Sequence, residues 1–144
     1  MSERIIITLA QLNQTAGDLQ GNTARILEAA GKAAQNSDIL LTPELSVCGY
    51  PPEDLLLMES FIRDCGLKLE EIRTASEAWP NLAILVGHPS RREGKLSNCV
   101  SVVKGGKILL CYEKKELPNY GVFDEARYFS PGGEQKQVFQ IKDT

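Results

Sequence analysis

Two short apolar runs, each stopped by a proline, constrain the fold of this chain more than any other feature of its sequence. Residues 38–44 are DILLTPE, and residues 82–89 are LAILVGHP. A short apolar run that ends at a turn signal is typical of a strand buried on both faces, as in a sheet covered by helices. The sequence therefore predicts an α/β fold.

Helical and further strand patterns alternate with these two runs. A cluster of β-branched residues predicts a strand over residues 4–12. A helix is expected to open at Asn22, a good N-cap residue. A second helix is expected to run from Glu53 to Trp79, where the following proline would break it.

The second half of the chain predicts a hairpin-rich sheet. Two β-rich runs, residues 98–104 and 107–112, are separated by Gly105-Gly106, which is a good signal for a tight turn. A last strand is expected over residues 137–141. The order strand, helix, strand, helix and then several strands indicates a layered α/β architecture.

Composition and charge argue against several classes of protein. The 144 residues are 42% hydrophobic, and 16 basic residues face 19 acidic ones for a net charge of -3. This balance argues against a disordered chain and offers no basic block for nucleic acid. The apolar runs are too short to span a membrane, and the amino terminus lacks a signal-peptide pattern. We therefore expect a cytoplasmic protein with no membrane or nucleic-acid partner.

The four cysteines give no sign of a metal site. Cys48, Cys65, Cys99 and Cys111 form no CxxC pair, and His88 is the only histidine. A zinc ion would lack ligands, so no metal is expected, and the thiols are predicted to be reduced and mostly buried. Cys48 lies in a Gly/Pro-rich loop, but no histidine is near it in sequence to activate it as a nucleophile.

Glu44 and Lys114 are the two charged side chains with the strongest case for chemistry. Glu44 falls where a buried strand would end, and a carboxylate that loses water there becomes a better general base. The alternative is a glutamate that caps or pairs at a turn. Strand alternation places Lys114 on the more apolar face of its strand, where it would need an anion such as Glu44. The alternative here is a solvated, charged strand end.

A long loop over residues 117–133 is the third candidate functional element. Its sequence, LPNYGVFDEARYFSPGG, interleaves aromatic residues with acidic and basic ones. Loops of this length in compact domains are commonly functional. The alternative is a set of aromatic side chains that seal the end of the core.

Several motifs along the chain can be compared together with known families. They are Gln11-x-Asn13, Gly17-Asp18 with Asn22, Pro43-Glu44-Leu45, the segment GYPPEDLL at residues 49–56, and residues 112–129 with Tyr112-x-Lys114 and LPNYGVFDE. This set resembles the nitrilase, or carbon–nitrogen hydrolase, superfamily. The last two motifs are the most specific, and they are similar to the amino-terminal glutaminase domain in the family of glutamine-dependent NAD+ synthetases. The resemblance implies a nitrilase-like α-β-β-α sandwich, present here as its first part.

That resemblance implies roles for five residues. Glu44 matches the general base, and Lys114 matches the lysine that stabilises the oxyanion of the tetrahedral intermediate. Tyr120, Phe123 and Glu125 match the loop that lines the glutamine pocket, with Glu125 similar to the supporting second glutamate. The family's nucleophile is a cysteine, which forms a thioester with the glutamine side chain and releases ammonia.

The resemblance also implies that part of the protein is missing from this chain. The family's nucleophilic cysteine follows the Lys114 loop in a later strand, and none of the four cysteines matches that position. We therefore expect residues 1–144 to be the first part of a glutaminase domain, without the nucleophile and inactive alone. In the whole enzyme, ammonia would pass to a synthetase domain in which ATP and Mg2+ activate deamido-NAD+. No cofactor is expected in the present part, and the whole enzyme is expected to be a homo-oligomer.

Two other functions remain open from the sequence. One is a stand-alone amidase or nitrilase of the same superfamily, acting on another small amide or nitrile. The other is a non-catalytic assembly module, in which a truncated nitrilase-like domain exposes sheet edges and core patches to a partner.

Overall fold

The computed structural model describes residues 4–134 and 136–142. In this part of the chain, a five-stranded mixed sheet carries two α-helices on one face, which confirms the α/β class. The strands are β1 (Ile7–Leu9), β2 (Ile39–Leu41), β3 (Ala83–Arg92), β4 (Lys95–Lys104) and β5 (Lys107–Glu113). The helices are α1 (Leu19–Ala33) and α2 (Glu59–Ala75), with short 3-10 helices at Glu53–Leu57, Ser76–Ala78 and Glu125–Arg127.

The strands lie in sequence order across the sheet. β1, β2 and β3 pair in parallel, and α1 and α2 form the two crossovers between them. β3, β4 and β5 pair antiparallel through two hairpins. The predicted turn at Gly105-Gly106 is confirmed, with φ of 54° and 78°. A second tight turn at Glu93-Gly94, with φ of 49° and 78°, was not predicted. Two successive positive φ angles suit the twist of such hairpins.

The core lies between the sheet and the helices. Leu40, Ile84 and Val86 of the sheet are fully buried, as are Ile26 of α1 and Ile72 of α2. Neither α1 nor α2 is apolar enough over sufficient length to cross a membrane. The helices thus bury one face of the sheet and leave the other face to different contacts.

The opposite face of the sheet is only partly covered, which corrects one prediction. Leu41 of β2 and Leu9 of β1 are exposed on this face, so β2 is buried on one face rather than two. Elsewhere on this face of the sheet, Ile141 packs against Ala83 of β3 and Val102 of β4. Residues 137–141 therefore contribute side-chain packing, and the strand predicted there is not formed.

The sequence predicted that β3 would stop at His88-Pro89, but the strand does not stop there. It continues to Arg92 and pairs Pro89 with Asn98 of β4. The pairing of β3 with β2 ends at Leu85, so β3 is an edge strand beyond that point. Proline is compatible with an edge strand because its missing amide removes no ladder hydrogen bond there.

Two other predicted elements have different bounds. The strand predicted over residues 4–12 is limited to Ile7–Leu9, because the neighbouring β2 is itself three residues long. The second helix is interrupted at Met58, whose extended backbone (φ -89°, ψ 112°) separates the 3-10 helix from α2. Glu53 also has a φ of 49°, a left-handed value incompatible with the start of a regular α-helix.

Candidate active site

Glu44 lies in a tight turn that sits on top of β3. Leu45, directly after it, has a φ of 50°, which is uncommon for a residue with a side chain and turns the chain sharply. The Val47 amide donates to the carbonyl of Gly87 at 3.0 Å. A Cβ on Gly87 would lie 2.6 Å from the Leu45 nitrogen and from the Pro43 oxygen. The turn that carries Glu44 thus needs a glycine beneath it.

Asn22 is hydrogen-bonded to the same turn. It was predicted to cap α1, but it does not. Asp18 is the N-cap residue, and its Oδ1 accepts a hydrogen bond from the amide three residues on at 2.9 Å. Asn22 is fully buried in the first turn. Its Nδ2 donates to the carbonyls of Thr15 at 2.8 Å and Val47 at 3.2 Å. Asn22 therefore ties α1 to the segment that carries Glu44.

Lys114, one residue after β5, joins two carboxylates. Its Nζ donates to Glu44 Oε1 at 2.8 Å and to Glu125 Oε1 at 3.0 Å. Partial burial acts to lower the pKa of Lys114, but its hydrogen bonds to Glu44 and Glu125 outweigh that effect, and the net pKa is raised. The predicted pairing of Lys114 with Glu44 is confirmed. The cluster of Glu44, Lys114 and Glu125 is hereafter called the carboxylate–lysine cluster.

The two carboxylates of this cluster have different environments. The Glu125 side chain is 7% exposed, and its Oε2 has no hydrogen-bond partner among the described residues. The Glu44 side chain is 45% exposed, so the expectation that it is desolvated at a buried strand end is wrong for this chain. The reason is the incompletely covered sheet face, onto which Glu44 opens.

Sequence reasoning missed two residues beside the cluster. Asn98 of β4 donates from Nδ2 to Glu44 Oε1 at 2.7 Å. Partial burial, together with the negative charges of Glu125 and Glu44, raises the pKa of Tyr50. Asn98 carries only a weak signal, a polar amide in a strand pattern that also contains Ser97 and Ser101. Tyr50 lies within the GYPPEDLL motif, but nothing in its spacing indicates that it lies within the electrostatic influence of Glu44 and Glu125.

The loop over residues 117–133 is fastened to the body of the protein near its carboxyl end. Phe129 is buried in the main core, and the Tyr128 hydroxyl donates to Asp54 Oδ1 at 2.6 Å. The Ser130 amide donates to the Leu96 carbonyl at 2.8 Å. These contacts place Glu125, in the 3-10 helix just before them, against Lys114.

Two clefts adjoin the carboxylate–lysine cluster. One, of about 350 Å³, is lined by Glu44, Asn98 and Lys114. The other, of about 640 Å³, is lined by residues that include Tyr50, Phe123 and Glu125. Of the three residues predicted to bind substrate, Phe123 and Glu125 thus line a cleft. Tyr120 lies further out, 72% exposed, with its ring edge-on to Phe123 at 5.7 Å between centroids.

The cysteines lie in two pairs outside this cluster. Cys48 and Cys65 are fully buried and neighbour one another, and Cys99 and Cys111 form the second pair. All four are reduced, and three are buried, as predicted. None of the four makes a hydrogen bond to the carboxylate–lysine cluster within the described residues. In that part of the chain, no three His, Cys, Asp or Glu side chains gather in a way that could hold a metal ion.

The arrangement can accept a proton and stabilise a negative oxygen at neighbouring positions. A half-exposed carboxylate is able to take a proton from a nucleophile, and an ammonium held by two carboxylates is fixed in place. This pairing suits acyl transfer from an amide. The chemistry also requires a nucleophile, which the cluster itself does not contain.

The chain is similar to known glutamine-dependent NAD(+) synthetases. The glutamine-dependent NAD(+) synthetase of Thermotoga maritima is 45% identical over 133 residues. That alignment covers 92% of this chain and 23% of the relative, so the chain spans about a quarter of the length of that curated protein. The crystal structure of a glutamine-dependent NAD(+) synthetase from Cytophaga hutchinsonii superposes with a TM-score of 0.85 at 32% identity, covering 97% of this chain and 24% of that one.

An amidase is also structurally similar. A mutant of the Nesterenkonia amidase from the nitrilase superfamily superposes with a TM-score of 0.78 at 27% identity, over 94% of this chain and 51% of that one. Another structure of that amidase shows the acetamide moiety of fluoroacetamide added covalently at the active-site cysteine. The model of the carbon-nitrogen hydrolase family matches residues 6–144 of the present chain. The chain therefore belongs to the carbon-nitrogen hydrolase family.

Proposed function

We propose that this chain forms part of the glutaminase site of a glutamine-dependent NAD+ synthetase, in which glutamine supplies ammonia. The observation that carries the proposal is the single lysine, Lys114, hydrogen-bonded to both Glu44 and Glu125. The similarity to synthetases from several bacteria along nearly all of the chain supports the choice of glutamine over other amides. Glu44 is proposed as the general base and Lys114 as the oxyanion-stabilising group.

The proposed reaction has two halves. A cysteine thiol, supplied by a part of the protein outside this chain, attacks the side-chain amide carbon of glutamine. Glu44 takes the thiol proton and gives it to the departing nitrogen, so that ammonia leaves and a thioester remains. Glu44 then takes a proton from water, which attacks the thioester. Glutamate is released, and the thiol recovers its proton.

Lys114 has one donor left for the reaction. An ammonium group has three N–H donors, and Glu44 and Glu125 accept two of them. The third is proposed to point toward the oxygen that becomes negative in the tetrahedral intermediate. Because two carboxylates already fix the ammonium, little reorganisation is needed when that charge develops.

The loop over residues 117–133 is proposed to hold the substrate. Phe123 and Glu125 line the larger cleft, and Tyr120 stands edge-on to Phe123 at its exterior. In this proposal, Tyr120 and Phe123 enclose the aliphatic part of glutamine.

In the whole protein, we propose that ammonia reacts with deamido-NAD+ that has been activated by ATP. The synthetase chemistry, including its Mg2+, is assigned to residues outside this chain, and no cofactor is assigned to the chain itself. The isolated chain is proposed to be inactive because it supplies no nucleophile to the carboxylate–lysine cluster. The whole protein is proposed to be a cytoplasmic homo-oligomer.

The test of this function separates the two nitrogen sources. In the full-length protein, Glu44→Gln and Lys114→Ala should each lower glutamine-dependent NAD+ synthesis by at least about 100-fold, because a general base or an oxyanion donor contributes on that order. Synthesis from free ammonia should be unchanged. Both rates are measured by NAD+ formation.

A surface ion pair of the same chain provides the matched control. Glu28 and Lys32 pair on α1, where both side chains are largely exposed. Glu28→Gln and Lys32→Ala should therefore leave both nitrogen sources unaffected. Normal glutamine use by Glu44→Gln or Lys114→Ala would show that the assigned roles are wrong.

An amidase acting on another small amide is the second candidate function. The structural similarity to the Nesterenkonia amidase favours it. It predicts that the full-length protein hydrolyses short aliphatic amides faster than glutamine and forms no NAD+ from deamido-NAD+. A clear preference for glutamine, coupled to NAD+ formation, would exclude it.

A further inference from the structure

Asn98 is buried at the point where β4, the strand paired with β5, meets the turn that carries Glu44. It lies on β4 and is 4% exposed. Its carbonyl accepts a hydrogen bond from the Lys114 amide at 2.8 Å, which extends the pairing of β4 with β5. Its side-chain Nδ2 donates to Glu44 Oε1 at 2.7 Å. One residue therefore contacts two members of the carboxylate–lysine cluster.

Both donors to Glu44 use the same oxygen. Asn98 Nδ2 and Lys114 Nζ approach Oε1 at 2.7 Å and 2.8 Å. Glu44 Oε2 accepts no hydrogen bond from any residue within 4–134 or 136–142. An oxygen that already accepts two donors is a poor proton acceptor, whereas the other oxygen keeps its lone pairs free.

We propose that Asn98 is a positioning residue that fixes the Glu44 carboxylate so that Oε2 is its proton-accepting oxygen. The inference rests on the proposed function of Glu44 as the general base. Lys114 alone does not fix the carboxylate, because its flexible side chain is shared with Glu125. The Asn98 side chain is short and buried, so its amide adds a second, rigid donor and sets the rotation of the carboxylate about its terminal bond.

The residue type fits this role. A neutral amide donates to a carboxylate without neutralising its charge, so Glu44 remains able to accept a proton. Alanine would remove the donor, and Glu44 would then rotate about the single contact with Lys114. Serine would also remove it, because its hydroxyl is one bond too short to reach Oε1.

Two variants of the full-length protein test the inference. Asn98→Ala and Asn98→Ser should each lower kcat for glutamine hydrolysis about 10- to 100-fold, as expected when a catalytic group is misplaced by about 1 Å. KM for glutamine should change less than about threefold, because Asn98 is not assigned a contact with the substrate. Ammonia-dependent NAD+ synthesis should be retained, and the nearly unchanged KM for glutamine shows that the glutamine-binding part of the protein is folded.

Ser97→Ala is the matched control, because Ser97 is a buried polar residue on the same strand with no hydrogen bond to Glu44. It should leave kcat unchanged. If either folded Asn98 variant has the kcat of Ser97→Ala, the inference is overturned while the proposed function stands. If the wild-type protein hydrolyses no glutamine, the proposed function is overturned and the inference with it.

Discussion

At the scale of single residues, Cys111 differs most from the other thiols of the chain. The pKa of Cys111 is lowered to about 4, because the neighbouring Cys99 thiol, and then His88 and Ser101, favour its thiolate against the effect of burial. The His88 ring is itself fixed by Ser101, with Nε2 and Oγ at 2.7 Å. Cys111 is also the least buried of the four cysteines.

Cys111 is therefore expected to be the first cysteine to react with iodoacetamide in the folded chain. A lowered pKa means that the thiolate is already formed at neutral pH, so its alkylation rate should be nearly constant from about pH 6 to about pH 8. An ordinary thiol would react about tenfold faster for each pH unit over this range. Mass spectrometry of the alkylated peptides measures the rate at each cysteine.

The Cys99→Ala variant is the control for that prediction. Removal of the Cys99 thiol should raise the pKa of Cys111 and restore a rate that increases with pH. The prediction is contradicted if Cys111 in the wild-type chain already shows the tenfold increase per pH unit.

Single residues also show how far the sequence leads toward the candidate site. Residue type and strand alternation are sufficient to pair Lys114 with Glu44, because a lysine on an apolar face needs an anion. They do not predict the role of Asn98, because its hydrogen bond to Glu44 depends on how the turn after β2 folds back over β3 and β4. They also misplace Asn22, since an N-cap residue type is equally suited to tie a loop to a helix.

At the scale of elements, the Glu44 turn lies close against the backbone of β3 at Gly87. Gly87→Ala should lower the free energy of unfolding by about 1–3 kcal/mol, because the added Cβ would overlap backbone atoms 2.6 Å away. It should also lower glutamine-dependent activity in the full-length protein, since the turn must move away from β3. Urea unfolding of the chain measures the stability change.

Gly66→Ala is the matched control for that substitution. Gly66 lies in the interior of α2, and a Cβ there would meet no atom within 4 Å. The change should stabilise the chain by about 0.5–1 kcal/mol through the helix propensity of alanine. Equal effects of Gly87→Ala and Gly66→Ala would show that the approach of the turn to β3 is not sterically limiting.

The elements that were predicted correctly are those whose signal is local. Gly105-Gly106 specifies its own turn, and the apolar runs specify β2 and the first part of β3. The carboxyl end of β3 could not be predicted from the sequence. A proline ends a strand only where a neighbouring strand needs its amide hydrogen, and β2 no longer pairs with β3 at Pro89. The strand predicted at residues 137–141 is not formed, and Phe139 and Ile141 pack against Ala83 and Val102 without a place in the sheet.

At the scale of the whole molecule, the uncovered sheet face determines how the chain behaves alone. Ile7 and Leu9 of β1 and Leu41 of β2 are exposed side by side, with Leu9 at 69%. Contiguous apolar surface of this kind drives association. The chain should therefore self-associate as its concentration rises, as measured by sedimentation velocity, and Leu9→Lys with Leu41→Lys should weaken that association.

The control for self-association is on the helical side of the molecule. Leu67 of α2 is 61% exposed, compared with 69% for Leu9. Its neighbours on the helix surface are polar, so it forms no apolar patch. Leu67→Lys should leave the association unchanged. A wild-type chain that stays monomeric at all concentrations would contradict the prediction and would also count against an assembly role for this face.

The fastening of the loop over residues 117–133 has a consequence for cleavage of the chain. Its exposed part, around Tyr120 and Val122, lies before the contacts of Tyr128, Phe129 and Ser130 with the body of the protein. A protease that cuts beside Val122 would therefore leave two pieces that remain associated without a covalent link. Glu44 and Lys114 would belong to one piece and Glu125 to the other, so the cluster would become a contact between two chains.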